Sequence, residues 1–181
     1  MTNPMAGELT ADECRHLLRI EVLGRLGCHS RGRTYVVPLT YGYDGTSIIC
    51  HTGNGLKISM MRENPQVCFE VDRMQDAASW QSVIAQGAYE ELHDTEADEA
   101  LTLLLSRLNT GTDPAPTHGP GHFLPASSGG IPRADVMFRI RVAEMSGRFQ
   151  GLRVPPPQLD AAPSAVPHRS DVGPPAPAAR W

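Results

Sequence analysis

In GRTYVVPLTYGYDGTSIICHTGNGLK, Gly32 to Lys57, the residues Tyr35, Val37, Leu39 and Tyr41 alternate with Thr34, Val36, Pro38 and Thr40. A period of two is that of a half-buried strand. Asp44-Gly45 then supplies a tight turn, and Ser47 to Thr52 returns as a second apolar run. Upstream, RLGCHSRGRTY, Arg25 to Tyr35, reads as a shorter strand with its own turn at Arg31-Gly32. Together these predict an antiparallel meander of three strands. Pro38 is out of place in a fully paired strand, because proline has no N–H for the ladder; it belongs at an edge, at a bulge or facing a ligand.

The rest of the chain extends this pattern on both sides. LTADECRHLLRIEV, Leu9 to Val22, opens with Thr10 and Glu13 at the spacing of a capping box, and Leu17, Leu18 and Val22 recur at helical intervals. Gly55 to Glu63 reads as a short helix stopped at Asn64-Pro65, since a residue before proline is pushed out of the helical region. In QVCFEVD, Val67, Phe69 and Val71 share one face, with Cys68 and Glu70 on the other. Trp80 to Leu92 is a long strand in which Gly87 marks a bulge or bend. Thr95 to Leu108 is helical, with a stripe of Ala97, Leu101, Leu104, Leu105 and Leu108. Asn109 to Arg133, full of Gly, Pro, His and Ser, reads as a long loop. ADVMFRIRVAEMSGRF closes the series, with Val136, Phe138, Ile140 and Val142 alternating against Met137, Arg139 and Arg141. Six or so antiparallel strands with bulge signals predict a mainly β fold, a small barrel with helices over its open ends.

Composition limits what such a barrel does. With 181 residues and 40% hydrophobic content the chain supports one good core. From about Arg153 onward it is rich in Pro, Ala and Ser and short of large aliphatics, too little to offset the entropy of ordering. The expected organisation is a folded domain over 1–150 and a disordered tail over 151–181. A net charge of -4, with no run of Lys and Arg, gives no electrostatic footprint for nucleic acid. The N-terminus lacks the pattern of a signal peptide and no apolar segment is long enough to span a bilayer, so a soluble cytoplasmic protein is expected. Cys14, Cys28, Cys50 and Cys68 are scattered, without the paired spacing of a zinc site or a thiol-disulfide motif, and read as reduced thiols.

One stretch invites chemistry. Gly53 and Gly55 let a ligand approach the backbone closely, the N–H groups at a helix start are unpaired, and Lys57 adds a positive charge. Phosphate is the natural guest. The stretch is not a Walker loop and does not open a strand-helix-strand dinucleotide fold. On its own, Gly-Asn-Gly-Leu-Lys is more often an ordinary turn with a solvated lysine.

The order of motifs goes further. Gly32 to Asp72, followed by a Trp-x-Ser-Val strand and a closing RIRVAEMSGR strand, resembles the pyridoxamine 5'-phosphate oxidase-like superfamily, and is most similar to its nitroimidazole-resistance branch. The resemblance runs from about Thr10 to Arg148 and implies a six-stranded FMN-binding split β-barrel that forms homodimers with flavin sites at the interface. It implies that Val36, Val37, Pro38, Leu39 and Thr40 lie along the isoalloxazine ring, through their backbone. It places the ribityl phosphate on His51, Thr52, Leu56 and Lys57, and brings Trp80 and Ser82 near the ring, from the partner subunit. The function implied is an oxidoreductase passing electrons from a reduced nicotinamide, NADH or NADPH, through the flavin to a small acceptor such as a nitro compound. His51 is the candidate proton donor or acceptor, since its unperturbed pKa lies near neutrality. No basic cluster near the C-terminal end matches the one that holds a vitamin B6 phosphate, so oxidation of that vitamin is not expected. The alternatives are a flavin carrier without turnover, the same fold holding the deazaflavin F420 or haem, and a cofactor-free module that recruits partners through its Pro-rich tail.

Overall fold

The computed structural model describes residues 5–108 and 135–151. The loop expected at Asn109 to Arg133 and nearly all of the tail lie outside the described residues. Seven strands and three helices follow in the order β1 (Ala6–Glu8), α1 (Ala11–Ile20), β2 (Leu23–Ser30), β3 (Arg33–Tyr43), β4 (Ser47–Gly53), α2 (Leu56–Glu63), β5 (Gln66–Asp76), β6 (Ser79–Glu91), α3 (Asp94–Leu108) and β7 (Asp135–Gln150). The sheet runs β1-β7-β4-β3-β2-β5-β6, and β6 pairs back onto β7. Strands β2 to β7 thus form an antiparallel ring in which each pairs with a neighbour on either side, β3 and β4 over three residues only, with β1 laid along Arg148–Gln150 of β7. The expected six-stranded barrel is present, and β1 is an addition to it.

Local chemistry accounts for these elements. Thr10 caps α1: the Glu13 N–H donates to Thr10 Oγ1 at 3.3 Å, and the Thr10 N–H donates to Glu13 Oε2 at 2.8 Å. The β2–β3 hairpin closes through Arg31 and Gly32, both at positive φ (50° and 75°), the geometry that matches strand twist. At the next turn Asp44 Oδ1 accepts the N–H groups of Thr46 and Ser47, each at 2.7 Å. At Gly87 the β6–β7 register slips, leaving Ala143 of β7 without an opposite residue, which is the bulge expected there.

Alternation along the strands fills the ring. Leu26, Tyr41, Ile48, Cys50, Phe69, Val71, Val83, Phe138 and Ile140 are all buried inside it. Helix α1 closes one end with Leu17 and Leu18, and the Tyr41 hydroxyl donates to the Leu18 carbonyl at 3.0 Å. Helix α2 packs against β2 through the buried Ile58 and Met61. Helix α3 lies outside the ring, where Ala97 and Ala100 join Ile49, Leu92 and Met137 in a second, smaller core. Among the described residues no helix is long and apolar enough to cross a membrane.

Candidate functional site

The ring is incomplete on one side, and hydrogen-bond parity shows which groups face the gap. Strand β3 pairs with β2 along Arg33–Thr40, but with β4 only at Tyr41, Gly42 and Tyr43. Residues flanking a two-residue hairpin loop form a hydrogen-bonded pair, and such pairs alternate along the ladder. The Tyr41 N–H donating to the Val22 carbonyl at 3.0 Å fixes the phase. Tyr35, Val37 and Leu39 therefore spend their backbone groups on β2, whereas Thr34, Val36, Pro38 and Thr40 turn theirs toward the opening. No described strand pairs with this edge. Pro38 costs no ladder bond here, which resolves its awkwardness in the sequence.

The side chains sort the same way. Tyr35, Val37 and Leu39 pack against the core, while Val36 is 60% exposed on the outward face beside the exposed Pro38.

The opposite bank of the gap is the turn after β4. Gly55 is the N-cap of α2, with no side chain capping the first turn and no acidic residue in it. This contrasts with α1, whose cap is complete. The first N–H groups of α2 lack the side-chain partner that α1 has. In the first turn lies Lys57, the only lysine in the chain, half-buried and without a hydrogen bond or ion pair to any described residue. Burial pushes its ammonium pKa down, opposed only weakly by the Cys28 and Cys50 thiols nearby. Other cations close in sequence are engaged: Arg62 grips Glu91 at 2.6 and 3.0 Å, and Arg31 reaches Glu63 at 2.5 Å. A Cβ at Gly53 or Gly55 would meet only one distant oxygen, so the turn is open on its ligand side. Uncapped donors, a free cation and open space suit an anionic group such as a phosphate.

His51 and Thr52 divide between two faces. The phase set by the Asp44 N–H to Ser47 carbonyl bond turns the His51 backbone toward the opening. Its imidazole leaves on the outer face, that of Ile49 and α3, and is 7% exposed. There Nε2 sits 3.3 Å from Asp135 Oδ2, in an orientation that makes no hydrogen bond. Thr52 shares the inner face with Cys50 and is itself buried. The structure thus brings the His51 backbone, not its ring, into line with the turn.

Burial lowers the His51 pKa below 6.5, and Asp135 offsets part of this. A folded-state pKa below the unfolded one favours the neutral fold, so this contribution is complete above about pH 6.5 and is lost as pH falls through the folded value. Urea melts of the parent and of His51→Asn are expected to converge between pH 7.5 and 5.5, whereas a gap independent of pH would rule out a buried neutral imidazole.

Trp80 and Ser82 are not gathered here within one chain. They lie on the same outward face as Val36 and Pro38 but on β6, three strands from β3, roughly 14 Å across the sheet. Leu56, at the start of α2, is 47% exposed beside the turn. Asp135 was missed by sequence reasoning, because nothing local in ADVMF marks it as the neighbour of His51. On β7, Arg139 and Arg141 both bind Glu90, which they hold down at about 2, so neither is a free phosphate ligand.

A family model described as pyridoxamine 5'-phosphate oxidase matches residues 10–149. The chain belongs to the pyridoxamine 5'-phosphate oxidase family. A protein of uncharacterised function from Rhizobium meliloti is 31% identical over 149 residues, 77% of this chain and 92% of that one. Among solved structures, a FAD-binding protein from Mesorhizobium loti is 31% identical with a TM-score of 0.62, covering 80% of this chain and 98% of its own. A candidate 5-nitroimidazole antibiotic resistance protein from Bacteroides thetaiotaomicron shares 18% identity and a TM-score of 0.61, covering 82% and 90%, and supports the split-barrel fold alone.

Proposed function

We propose that this family member binds FMN in the opening between β3 and β4 and works as an oxidoreductase, taking electrons from NADH or NADPH and delivering them to a small acceptor of the nitro-compound type. The observation that carries the reading is the pairing of an uncapped α2 start with Lys57, which has no partner among the described residues, in the turn that ends β4 after it has left the β3 edge. The FAD-binding relative, at 31% identity, supports a flavin as the guest. One free cation and one helix start suit a single phosphate, which favours FMN over a dinucleotide form.

The bound flavin would supply the redox chemistry. This chain's part is to hold the phosphate with Lys57 and the first N–H groups of α2, and to lay the Thr34–Thr40 edge against the ring. Thr52 and the His51 backbone border the phosphate turn, and Leu56 and Val36 give it apolar flanks. The His51 imidazole is the proton carrier of this proposal, held on the outer face 3.3 Å from Asp135 Oδ2.

The reading includes a homodimer. Leu23, Val36, Met74 and Ile84 all project, exposed, from the outward face of β2, β3, β5 and β6 respectively. A second copy seated there would cover this apolar area and carry Trp80 and Ser82 of the partner subunit toward the ring.

The deciding experiment is the spectrum and mass of the cofactor released on denaturation, followed by anaerobic mixing of the loaded dimer with NADH or NADPH. FMN and rapid bleaching are expected. Flavin without bleaching would make the protein a carrier, and a colourless protein that takes up no FMN would end the flavin reading.

A further inference from the structure

The edge of β3 that faces the opening is short of one donor. Thr34 and Val36 each present an N–H and a carbonyl to the gap, and Thr40, next to the Tyr41–Cys50 pair with β4, an N–H, while Pro38 presents a carbonyl alone. Between the Val36 and Thr40 N–H groups, roughly 13 Å apart along the strand, lie only the carbonyl oxygens of Val36 and Pro38. Among the described residues no neighbour replaces the missing donor. Arg25, directly opposite Pro38 on β2, is tied to Glu70 at 3.0 Å and also to Asp72 on the outward face. The middle of the edge is thus a patch of acceptors, and a ring atom lying against it is stabilised when it carries a hydrogen.

We propose that Pro38 makes the opening select the reduced form of its flavin. This rests on the flavin reading above and deepens it. The central-ring nitrogen N5 of an oxidised flavin has a lone pair and accepts hydrogen bonds. Uptake of two electrons and two protons by the ring system places a hydrogen on N5 and turns it into a donor. An edge with an N–H at residue 38 would favour the first state, whereas an edge with carbonyls alone favours the second. By linkage, tighter binding of the reduced form is a higher reduction potential for the bound flavin. A rival account is that Pro38 merely deters edge-to-edge pairing of exposed strands, the usual use of an edge proline. That account predicts self-association when the proline is replaced, with no change in redox preference.

The test uses the whole chain with Pro38→Ala and Pro38→Val, both of which restore the N–H without disturbing the β2 ladder. Dissociation constants are measured anaerobically for oxidised FMN and for chemically reduced FMN. In both variants the ratio of the oxidised to the reduced constant is expected to fall by about two- to tenfold, the size of one neutral hydrogen bond. Using two side chains separates the backbone donor from side-chain packing, and if one variant misfolds the other still decides. An unchanged or rising ratio, a shift in one folded variant but not in the other, or aggregation as the sole effect overturns the proposal while wild-type FMN binding stands. Failure of the wild type to bind FMN in either state overturns both the proposal and the flavin reading.

Discussion

Replacing Lys57 by Ala is expected to weaken FMN binding by about ten- to a hundredfold, the loss that follows from removing a charge-assisted contact of about 1.5–3 kcal/mol. Lys57→Arg should recover part of the affinity, because it restores the charge but not the shape of a compact ammonium at the helix start. Stability without ligand should move the other way. A half-buried ammonium without a partner opposes folding, so apo Lys57→Met is expected to melt no lower than the parent. The rise in melting temperature on adding FMN should then shrink in the variant. Calorimetric titration and thermal melts check both halves. An unchanged FMN dissociation constant in Lys57→Ala would remove the turn from the phosphate site, whatever the melts show.

The largest effect on stability is expected at Gly87. A Cβ there would press into the backbone carbonyl oxygen of Arg141 and come within 2.8 Å of Ile140 Cγ2. The first of these is main chain in the strand that closes the ring, so it cannot swing aside as a side chain would. Gly87→Val should cost on the order of 2–3 kcal/mol, roughly 4–12 °C in melting temperature for a chain of this size. Gly27→Ala is the control, because the nearest atom to its Cβ is 3.6 Å away, an ordinary contact, and alanine is the better strand former. It should leave stability unchanged or raised. Equal losses at the two positions would mean that Gly87 is not held by the bulge.

The parts of this fold that could be read in advance are those written locally. Period-two alternation in Thr34 to Tyr41 marked β3, the Thr10–Glu13 spacing marked the α1 cap, and an isolated glycine in an otherwise regular strand marked the bulge at Gly87. Strand β1 escaped because three residues carry no period. The candidate site was half visible: glycines and a lysine at a helix start are a local signal for an anion. Which bank of β3 stays unpaired is not local, since it depends on where β4 leaves β3 after Cys50. The His51 ring belongs to the same class. That Ile49 and His51 share a face follows from sequence; that this face is the outer one depends on α3 covering it and on Asp135, more than eighty positions away, arriving beside it.

Strand β7 joins β4, β6 and β1 at once. A chain emerging from the ribosome therefore holds both raw edges of an open sheet until the last of the described strands is made, and β1, the earliest of them, finds its only described partner near the end of the folded domain. Closure is a late, long-range event of the kind that folds slowly. Any cofactor pocket bounded by that sheet is consequently built after translation of the domain, not during it.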